Sequence, residues 1–321
     1  MTVYLGRRAN LGIAVEAPRK TATAPTMWLP FTSLNYANKA VMVIQEAAFG
    51  QLGDSDETYA TKKNAEGEIE FECTDKEIGI ILTAVLGASP TTSAGPPYTH
   101  TYTLADTSNQ HSSISILVQD PNGQVMYPLA MADTFEMTIE PEGIVKCTVS
   151  FRSKRGIDWN SVTPVYTAIG NKFLQQDLRF KVATAIGTLG AASLLDLRSL
   201  TLTIEKNPID WDDVGTVQPT DILNRQISVS GKIILSDSDK VWRNYFLDAT
   251  SLAVEIYLYR NDNSSLKFQL PKVRFQTWEP NKDLDDIATQ EMEFKAHYDA
   301  AGAQKIIHLC NLINTTNSGS Y

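Results

Sequence analysis

Residues 66–82 read EGEIEFECTDKEIGIIL, and residues 230–246 read SGKIILSDSDKVWRNYF. Aligned without a gap, the two stretches place Gly67 opposite Gly231 and continue position by position to their ends. Each begins at a glycine, continues as an alternating strand, breaks at an acidic polar step and ends in a short apolar run. The sequence therefore predicts one strand-then-helix pattern that is used twice in the chain.

Strand-like stretches surround both copies in the same order, and each copy is preceded by a long polar span. We therefore predict a mainly β protein, a sandwich or barrel-forming fold with short flanking helices, built from two tandem repeats of one module. The predicted divisions are an N-terminal arm (1–27), a first module (28–155), a linker (156–175), a second module (176–300) and a C-terminal segment (301–321).

The first copy also predicts which side chains are buried. Strict alternation puts Ile69, Phe71 and Cys73 on one face of the strand, where we expect them to pack against a helix over residues 76–86. Gly87 is expected to end that helix, because a glycine tolerates the left-handed conformation found just past many helices.

The opposite face of the same strand carries Glu68, Glu70 and Glu72. Neighbouring carboxylates on one face repel one another by a few tenths of a kcal/mol per pair. One interpretation is an ordinary solvated sheet face. The other is a face kept acidic so that a polyanion can pass without sticking. The equivalent positions in the second copy are Lys232, Ile234 and Ser236, none of them acidic, which weakens the second interpretation.

Composition narrows the class of function. The net charge of −9 and pI of about 5.0 argue against binding nucleic acid through its phosphates, which requires a basic surface. Residues 1–27 are basic, whereas both modules are acidic. No apolar run approaches the roughly 20 residues of a membrane helix, so we predict a soluble product with no membrane association, made in the cytoplasm.

No motif indicates catalysis, a cofactor or a metal. The three cysteines are few and far apart, and His100 sits in an alternating strand, where a pairing role is the simpler interpretation. The acidic cluster around Asp54 lacks the spacing of a calcium loop. We predict that the protein is not an enzyme and binds no cofactor.

The chain resembles the tail tube proteins of bacteriophages with long non-contractile tails. The matching phrases run from GRRANLGIAVEAPRKTATAPTMWLP, near the start, through AEGEIEFECTDKEIGIILTAVLG and QPTDILNRQISVSGKI to WEPNKDLDDIATQEMEFKAHYD and the closing NTTNSGSY. They cover nearly the whole sequence from residue 6 onward. They are family-typical phrases rather than catalytic motifs.

The resemblance implies that the inner sheets of neighbouring subunits join in a closed barrel, and that rings stack into the tube through which the genome passes. It implies rings of six modules, hence a homotrimer with pseudo-sixfold symmetry. Tape measure and tail terminator proteins are implied as partners, double-stranded DNA as cargo that is not specifically bound, and the virion tail as location. Glu68, Glu70 and Glu72 become candidates for the lumen lining.

Two further expectations concern assembly. The polar spans 46–66 and 207–226 are too long for simple turns. The first is expected to be functional or an extended hairpin, and we expect both spans to reach between stacked rings. The basic residues 1–27 are expected to dock on an acidic neighbour.

Several alternatives stay open. They are another tail component on the same module, such as a baseplate hub or distal protein, a phage-derived bacteriocin or secretion tube, an adhesive or carbohydrate-binding β-sandwich, and a hydrolase with an unrecognised site. Trimeric and hexameric rings are not separated by the sequence.

Overall fold

The computed structural model describes residues 4–47, 50–166, 170–237, 239–282, 284 and 287–315. About half of the chain lies in β-strands, with a few short helices, so the fold is mainly β as predicted. The strands form large antiparallel sheets.

The strands and helices follow one another along the chain in two parts. In the first part they are β1 (Asn10–Val15), β2 (Met27–Trp28), β3 (Ser33–Ile44), β4 (Thr58–Glu72), α1 (Ile78–Leu86), β5 (Thr91–Thr92), β6 (Tyr98–Tyr102), β7 (Ile114–Asp120), β8 (Gly123–Ile139), β9 (Lys146–Lys154) and β10 (Ile157–Asp158). The second part contains β11 (Leu178–Ala183), β12 (Leu194–Leu195), β13 (Ser199–Glu205), β14 (Ile209–Trp211), β15 (Asp221–Leu223), β16 (Ser228–Ser236), α2 (Val241–Leu247), β17 (Leu252–Asn261), β18 (Ser264–Phe275), β19 (Glu279–Asn281), β20 (Thr289–Ala296) and β21 (Leu309–Asn314). Short 3₁₀ turns cover Gly6–Arg8, Gln175–Asp177 and Ile186–Ala191.

One continuous antiparallel sheet, which we call the central sheet, runs through both parts of the chain. Its strands lie in the order β3, β4, β9, β8, β13, β16, β20, with the end of β18 and then β19 beside β20. The junction between the two parts is the ladder of β8 with β13, in which Ile139 lies opposite Leu200 and Phe135 opposite Ile204. A ladder of main-chain hydrogen bonds therefore joins the first predicted module to the second.

The second layer packs across the core from this sheet. Strand β8 belongs to both layers: its first half pairs with β7, and its second half enters the central sheet. The strand changes layer near Leu129, which has a φ of 55° and donates its N–H to the buried carboxylate of Glu16 at 2.7 Å. Glu16 also accepts from the hydroxyls of Ser113 (2.5 Å) and Ser115 (2.8 Å), so the buried charge is well solvated by the protein.

The order of strand pairing in the second part matches that in the first. Strands β1, β7 and β8 are adjacent and continue into β9, β4 and β3, while β11, β17 and β18 are adjacent and continue into β20, β16 and β13. In both parts a short helix follows the strand that begins near the glycine.

The two glycines occupy equivalent places and are needed for close packing. Gly67 lies opposite Tyr36 and Phe151, and Gly231 lies opposite Leu202 and Phe294. A Cβ on Gly67 would lie 2.0 Å from the carbonyl oxygen of Asn35, and one on Gly231 would lie 2.4 Å from the ring of Phe294. Neither position has room for a side chain.

Helix α1 begins after the acidic step and is buried along its whole length. Ile69, Phe71 and Cys73 are all fully buried in the same cluster as the helix, which confirms the predicted inward face of β4. Gly87 ends the helix with a φ of 83°, and its N–H bonds to the carbonyl of Thr83, as expected.

Asp75, in the polar segment between β4 and α1, anchors the segment that joins the two parts of the chain. Asp75 accepts hydrogen bonds from the main-chain and side-chain amides of Asn171, both at 2.8 Å. Thr74 and Ile144 form isolated bridges with Lys172 and Leu174. The end of the predicted linker is therefore tied to the body of the first part.

Part of the predicted N-terminal arm is a core strand. Residues 10–15 form β1, which pairs with β7 along its length, and Leu11 and Ile13 are fully buried. Further on, Arg19 and Lys20 form ion pairs with Asp221 of the same chain. The expectation that these two basic residues dock on a neighbouring chain is therefore corrected: their partner is internal.

Candidate functional site

The polar face of the central sheet is the candidate functional surface. Because strand side chains alternate, the apolar residues that fill the core leave every second position on the other side. On β4 these outward positions include Glu68, Glu70 and Glu72, on the face opposite Ile69 and Phe71.

The three carboxylates have different surroundings. Glu68 is exposed and lies between Asn35 and Ser150, and Glu70 is half-buried between Ser33 and Thr148. Glu72 is half-buried, lies opposite Lys146 and forms an ion pair with Lys172. Cations therefore offset the acidic row at its Glu72 end, while hydroxyl and amide groups flank the other two carboxylates.

The same face continues across the junction into the second part. Between the charged residues it carries short hydroxyl side chains, namely Thr148, Ser150, Thr134, Thr138, Ser199, Thr201, Thr203, Ser228, Ser230 and Ser236. Short side chains of this kind hold no charge and project little, so they form low polar stretches between the longer charged side chains. Ile234 is an apolar position on the same face.

Both signs of charge occur on this face. Its acids include Glu66, Glu68, Glu70, Glu72, Glu136, Glu205, Glu291 and Glu293, and its bases include Lys39, Lys146, Arg152, Lys154, Lys232 and Lys295. Lys232 pairs with Glu291 at 2.6 Å. The acids are concentrated on β4, and the second part of the chain is mixed.

The long polar spans differ from each other. The first is the upper part of a hairpin, since β3 and β4 stay paired out to Ile44 and Thr58. Its strands carry exposed apolar side chains at Val41, Met42 and Ile44. Residues 33–44 and 58–70 are therefore the paired strands of an extended hairpin, whose outer part is largely exposed.

The second span, 207–226, folds as the β14–β15 hairpin against the first part of the same chain. Lys62 bonds Asp210 at 2.7 Å and Asp212 at 2.6 Å, and the N–H of Lys63 donates to Val217 at 2.7 Å. These contacts occur within one chain, and the sequence carried no signal for them.

Buried ionisable groups cluster where β13 ends near α1. Lys206 is fully buried and donates to the carbonyl of Ala84 at 2.6 Å, and burial, reinforced by the charge of Arg19, lowers the pKa of Lys206 to about 7. Burial and the Lys206 charge likewise lower the pKa of His111 to about 4. Arg19 bonds the His111 carbonyl at 3.0 Å, so these groups join the N-terminal segment, α1 and β13 in one structural network.

The remaining groups that could suggest chemistry have structural contacts. His100 is buried in β6, with its ring nitrogens near the Thr92 hydroxyl (2.9 Å) and the Asn314 amide oxygen (3.4 Å). Within the described ranges no cluster of His, Cys, Asp and Glu has the geometry to hold a metal ion. Cys73, Cys147 and Cys310 are buried as free thiols.

The family model for phage tail tube proteins matches residues 6–296. The chain belongs to the phage tail tube protein family. This tail tube protein is thus a member of a structural family of the virion tail, which agrees with its polar sheet face and its β-rich fold. A search among curated proteins gave no match. In the part of this tail tube protein that the structure describes, no helix has both the length and the apolar character needed to cross a membrane.

Proposed function

We propose that this protein is the structural subunit of a phage tail tube, closing into rings that stack and form the conduit for DNA delivery. The observation that carries the proposal is the central sheet: it runs unbroken through the chain, is apolar on one face and polar on the other, and ends in exposed strands. An open sheet with free edges tends to pair with another chain, and a closed ring removes those edges.

We further propose that the chain is two tandem tube modules. The matched order of strand pairing and the equivalent glycines Gly67 and Gly231 support this. We place the modules over 28–155 and 176–300, joined by 156–175, with 301–321 as a C-terminal segment. Because β1 takes the same place as β11, we extend the first module to include residues 10–15.

Three chains would then close a ring of pseudo-sixfold symmetry. With four central-sheet strands from each module, about 24 strands at ~4.8 Å spacing and ~45° tilt give a backbone diameter of roughly 50 Å. Side chains on the inner face reduce this to roughly 40 Å. A DNA duplex fits inside with a clearance of about one Debye length, ~8 Å at physiological salt.

The polar face of the central sheet is the proposed lumen lining, with Glu68 and Glu70 as its most acidic part and Glu72 partly neutralised by Lys172. Three chains of charge −9 place −27 on each ring, so the assembly repels phosphate overall. The interspersed lysines and hydroxyls moderate that repulsion. A surface without a strong phosphate site suits transport, because each bound phosphate would otherwise have to be released.

The outer part of the β3–β4 hairpin is the proposed contact between stacked rings, since its exposed apolar residues are otherwise left in water. By resemblance to the family, the tape measure and tail terminator proteins are proposed partners, DNA passes without specific binding, and the protein acts in the virion tail after synthesis in the host cytoplasm. A baseplate component or a bacteriocin tube remains the alternative. Within the part of the chain that the structure describes, no site supports an adhesin or a hydrolase.

Electron microscopy of the purified protein tests the proposal, with native mass measurement of any ring. Rings of three chains, or tubes with that repeat, are expected. Rings of six chains would refute the proposed trimer of two-module chains but remain consistent with the tube function. Monodisperse monomers under all assembly conditions would remove the tube function. Tight, salt-sensitive binding of duplex DNA by assembled tubes would remove the proposed lumen.

Shortening the hairpin separates stacking from ring closure. A variant lacking residues 48–63 should remain soluble and form no long tubes. Normal tube growth in that variant would contradict the proposed role of the hairpin.

A further inference from the structure

We propose the register in which two copies of this chain join: residues 34–39 on β3 pair antiparallel with residues 277–282 of the neighbouring copy, with Ala37 opposite Glu279 and Asn35 opposite Asn281. The inference rests on the proposed ring and goes further by specifying the contact residue by residue. Its basis is that the chain already contains one such junction, between β8 and β13.

The β8–β13 junction serves as a template for the two outer edges, β3 and β19. The equivalent glycines Gly67 and Gly231 give the correspondence between residues. Tyr36 lies opposite Gly67, and Leu202 lies opposite Gly231. Tyr36 on β3 therefore corresponds to Leu202 on β13, and the next residue, Ala37, corresponds to Thr203.

For the β19 edge, the correspondence comes from the strands on the other side of the two glycines, which are β9 and β20. Phe151 of β9 lies opposite Gly67, and Phe294 of β20 lies opposite Gly231, so these two phenylalanines correspond. Three residues before each of them, Thr148 pairs with Glu136 and Glu291 pairs with Glu279. Glu279 therefore corresponds to Glu136.

The register follows directly. In the internal junction, Thr203 lies opposite Glu136. Replacing each residue by its counterpart places Ala37 of one copy opposite Glu279 of the next, and antiparallel pairing then sets Asn35 against Asn281 and Lys39 against Thr277.

The faces on which the side chains lie give independent support for this register. Ala37 and Glu279 both lie on the polar face, since their strand neighbours Glu66 and Glu291 do. On the other face, Tyr36 packs against the core cluster, and Pro280 lies opposite the fully buried Gln290. A register shifted by one residue would place polar-face side chains against core-face side chains.

The two edges are exposed and their charges are complementary. Among the described residues β3 pairs with β4 alone, and residues 35 and 37–39 are exposed, as are residues 279–282 on the other edge. Lys39 is the diagonal neighbour of Glu279 in this register, within reach of an ion pair across the junction. Pro280 has no N–H, and a proline is tolerated in strands mainly at edges, where it limits pairing with wrong partners.

Disulfide trapping tests the register. The pair Ala37→Cys and Glu279→Cys, in one chain, would place opposed cysteines at each junction of the assembled tube. Directly opposed residues have Cα atoms about 4.5–5.5 Å apart, within the range that a disulfide spans. The native cysteines are all buried and do not compete.

The matched control keeps Ala37→Cys and pairs it with Asn281→Cys, which is two residues out of register. Diagonal neighbours lie about 7–8 Å apart, beyond normal disulfide reach, so mild oxidation should crosslink the control at least about tenfold more slowly. Asn35→Cys with Asn281→Cys provides a second in-register pair in case the first variant folds poorly.

Assembly is checked by microscopy on the same samples. Tubes with rapid interchain crosslinking of the in-register pairs, and covalent trimers on a non-reducing gel, are the expected result. Tubes in which the shifted pair crosslinks faster, or in which neither in-register pair crosslinks, overturn the register and leave the tube function intact. Failure of the unmodified protein to assemble at all removes both.

Discussion

Replacement of Asp221 by Asn should weaken the attachment of the N-terminal segment to the second part of the chain. The carboxylate of Asp221 is 7% exposed and accepts from Lys20 Nζ at 2.9 Å, from Arg19 Nη1, and from the N–H of Ile222 at 2.8 Å. Arg19 also donates to the Ile222 carbonyl at 2.6 Å, so its guanidinium is held at this point by both the side chain and the main chain.

The expected cost follows from the burial of the two partners. Breaking a fully buried ion pair by removing one charge costs about 3–5 kcal/mol, because the other charge stays buried without compensation. Arg19 is 18% exposed and Lys20 is 38% exposed, so water relieves part of that penalty. We therefore expect Asp221→Asn to lower the free energy of unfolding by about 2–3 kcal/mol near pH 7.

The loss should also depend on pH. Burial alone would raise the pKa of Asp221, but the hydrogen bonds from Lys20 and Ile222 and the charge of Arg19 outweigh it and lower the pKa below its ordinary value. A carboxyl with a lowered folded-state pKa stabilises the fold above its unfolded pKa of about 3.9 and loses that contribution as pH falls through the folded value. The gap between variant and parent should therefore narrow as the pH falls below the unfolded pKa of about 3.9.

Urea unfolding followed by circular dichroism measures both effects, and a double-mutant cycle with Arg19→Met isolates the pair. A coupling energy of about 1–3 kcal/mol is expected. The matched control is Glu66→Gln, which removes the surface pair of Glu66 with Lys39 at 4.0 Å and should cost less than about 1 kcal/mol. An Asp221→Asn loss no larger than the control, or one that is the same at pH 3 and pH 7, would refute the reasoning.

Two further predictions concern the C-terminal end of α1. Gly87→Ala should lower the free energy of unfolding by more than about 1–2 kcal/mol. Residue 87 has a left-handed φ of 83°, and an added Cβ would lie 2.2 Å from Nδ1 of His111. The control Gly123→Ala, where nothing lies within 4 Å of the new Cβ, should be nearly neutral in the same urea titration. Lys206 has a folded pKa of about 7, below the unfolded value, so the unfolded chain binds the extra proton and wild-type stability rises with pH above 7. Lys206→Met should abolish that rise. The free energy of unfolding of the variant, relative to wild type, should therefore fall by roughly 1 kcal/mol per pH unit between pH 7 and 9. A difference between variant and wild type that does not change with pH would contradict this prediction.

The features predicted correctly from the sequence are those set by local pattern. The alternation of β4 determined the burial of Ile69 and Phe71, and the position of Gly87 after an apolar run determined the end of α1. Both depend on residues within one turn or one strand, where spacing alone decides which side faces the core.

The parts that were missed depend on partners far away in the chain. Residues 10–15 are a core strand because they pair with β7, which lies about 100 residues later in the chain. Likewise, β21 adds a strand beside β18 and β6. The lack of a sustained period in residues 1–27 favoured an arm there, and tertiary pairing overrode it.

The candidate surface was predicted only in part, for a similar reason. The acidic row was visible because it repeats within one strand. The cations that moderate it, Lys146 and Lys172, come from other segments, and no spacing rule relates them to Glu72. Buried charges such as Glu16 and Lys206 gave no signal either, since whether a charged residue is solvated or enclosed is decided by the chain that packs over it.

If the chain is two modules, as proposed above, joining them in one chain has a consequence for how a ring forms. In the proposed trimer, half of the junctions are already made inside the folded subunit, because β8 and β13 are held together by the linker at a high effective concentration. Each chain therefore exposes one edge on β3 and one near β19, where separate modules would expose twice as many. Fewer free edges lower the chance of wrong pairing before assembly, and Pro280 reduces it further at the edge where it lies. The junction that remains to be formed between chains lacks the Pro280 donor, so it is expected to be the weaker of the two kinds. Controlled dissociation of a ring should then give intact subunits rather than separated modules, and the ladder of Ile139 with Leu200 should remain protected from hydrogen exchange after the ring has opened.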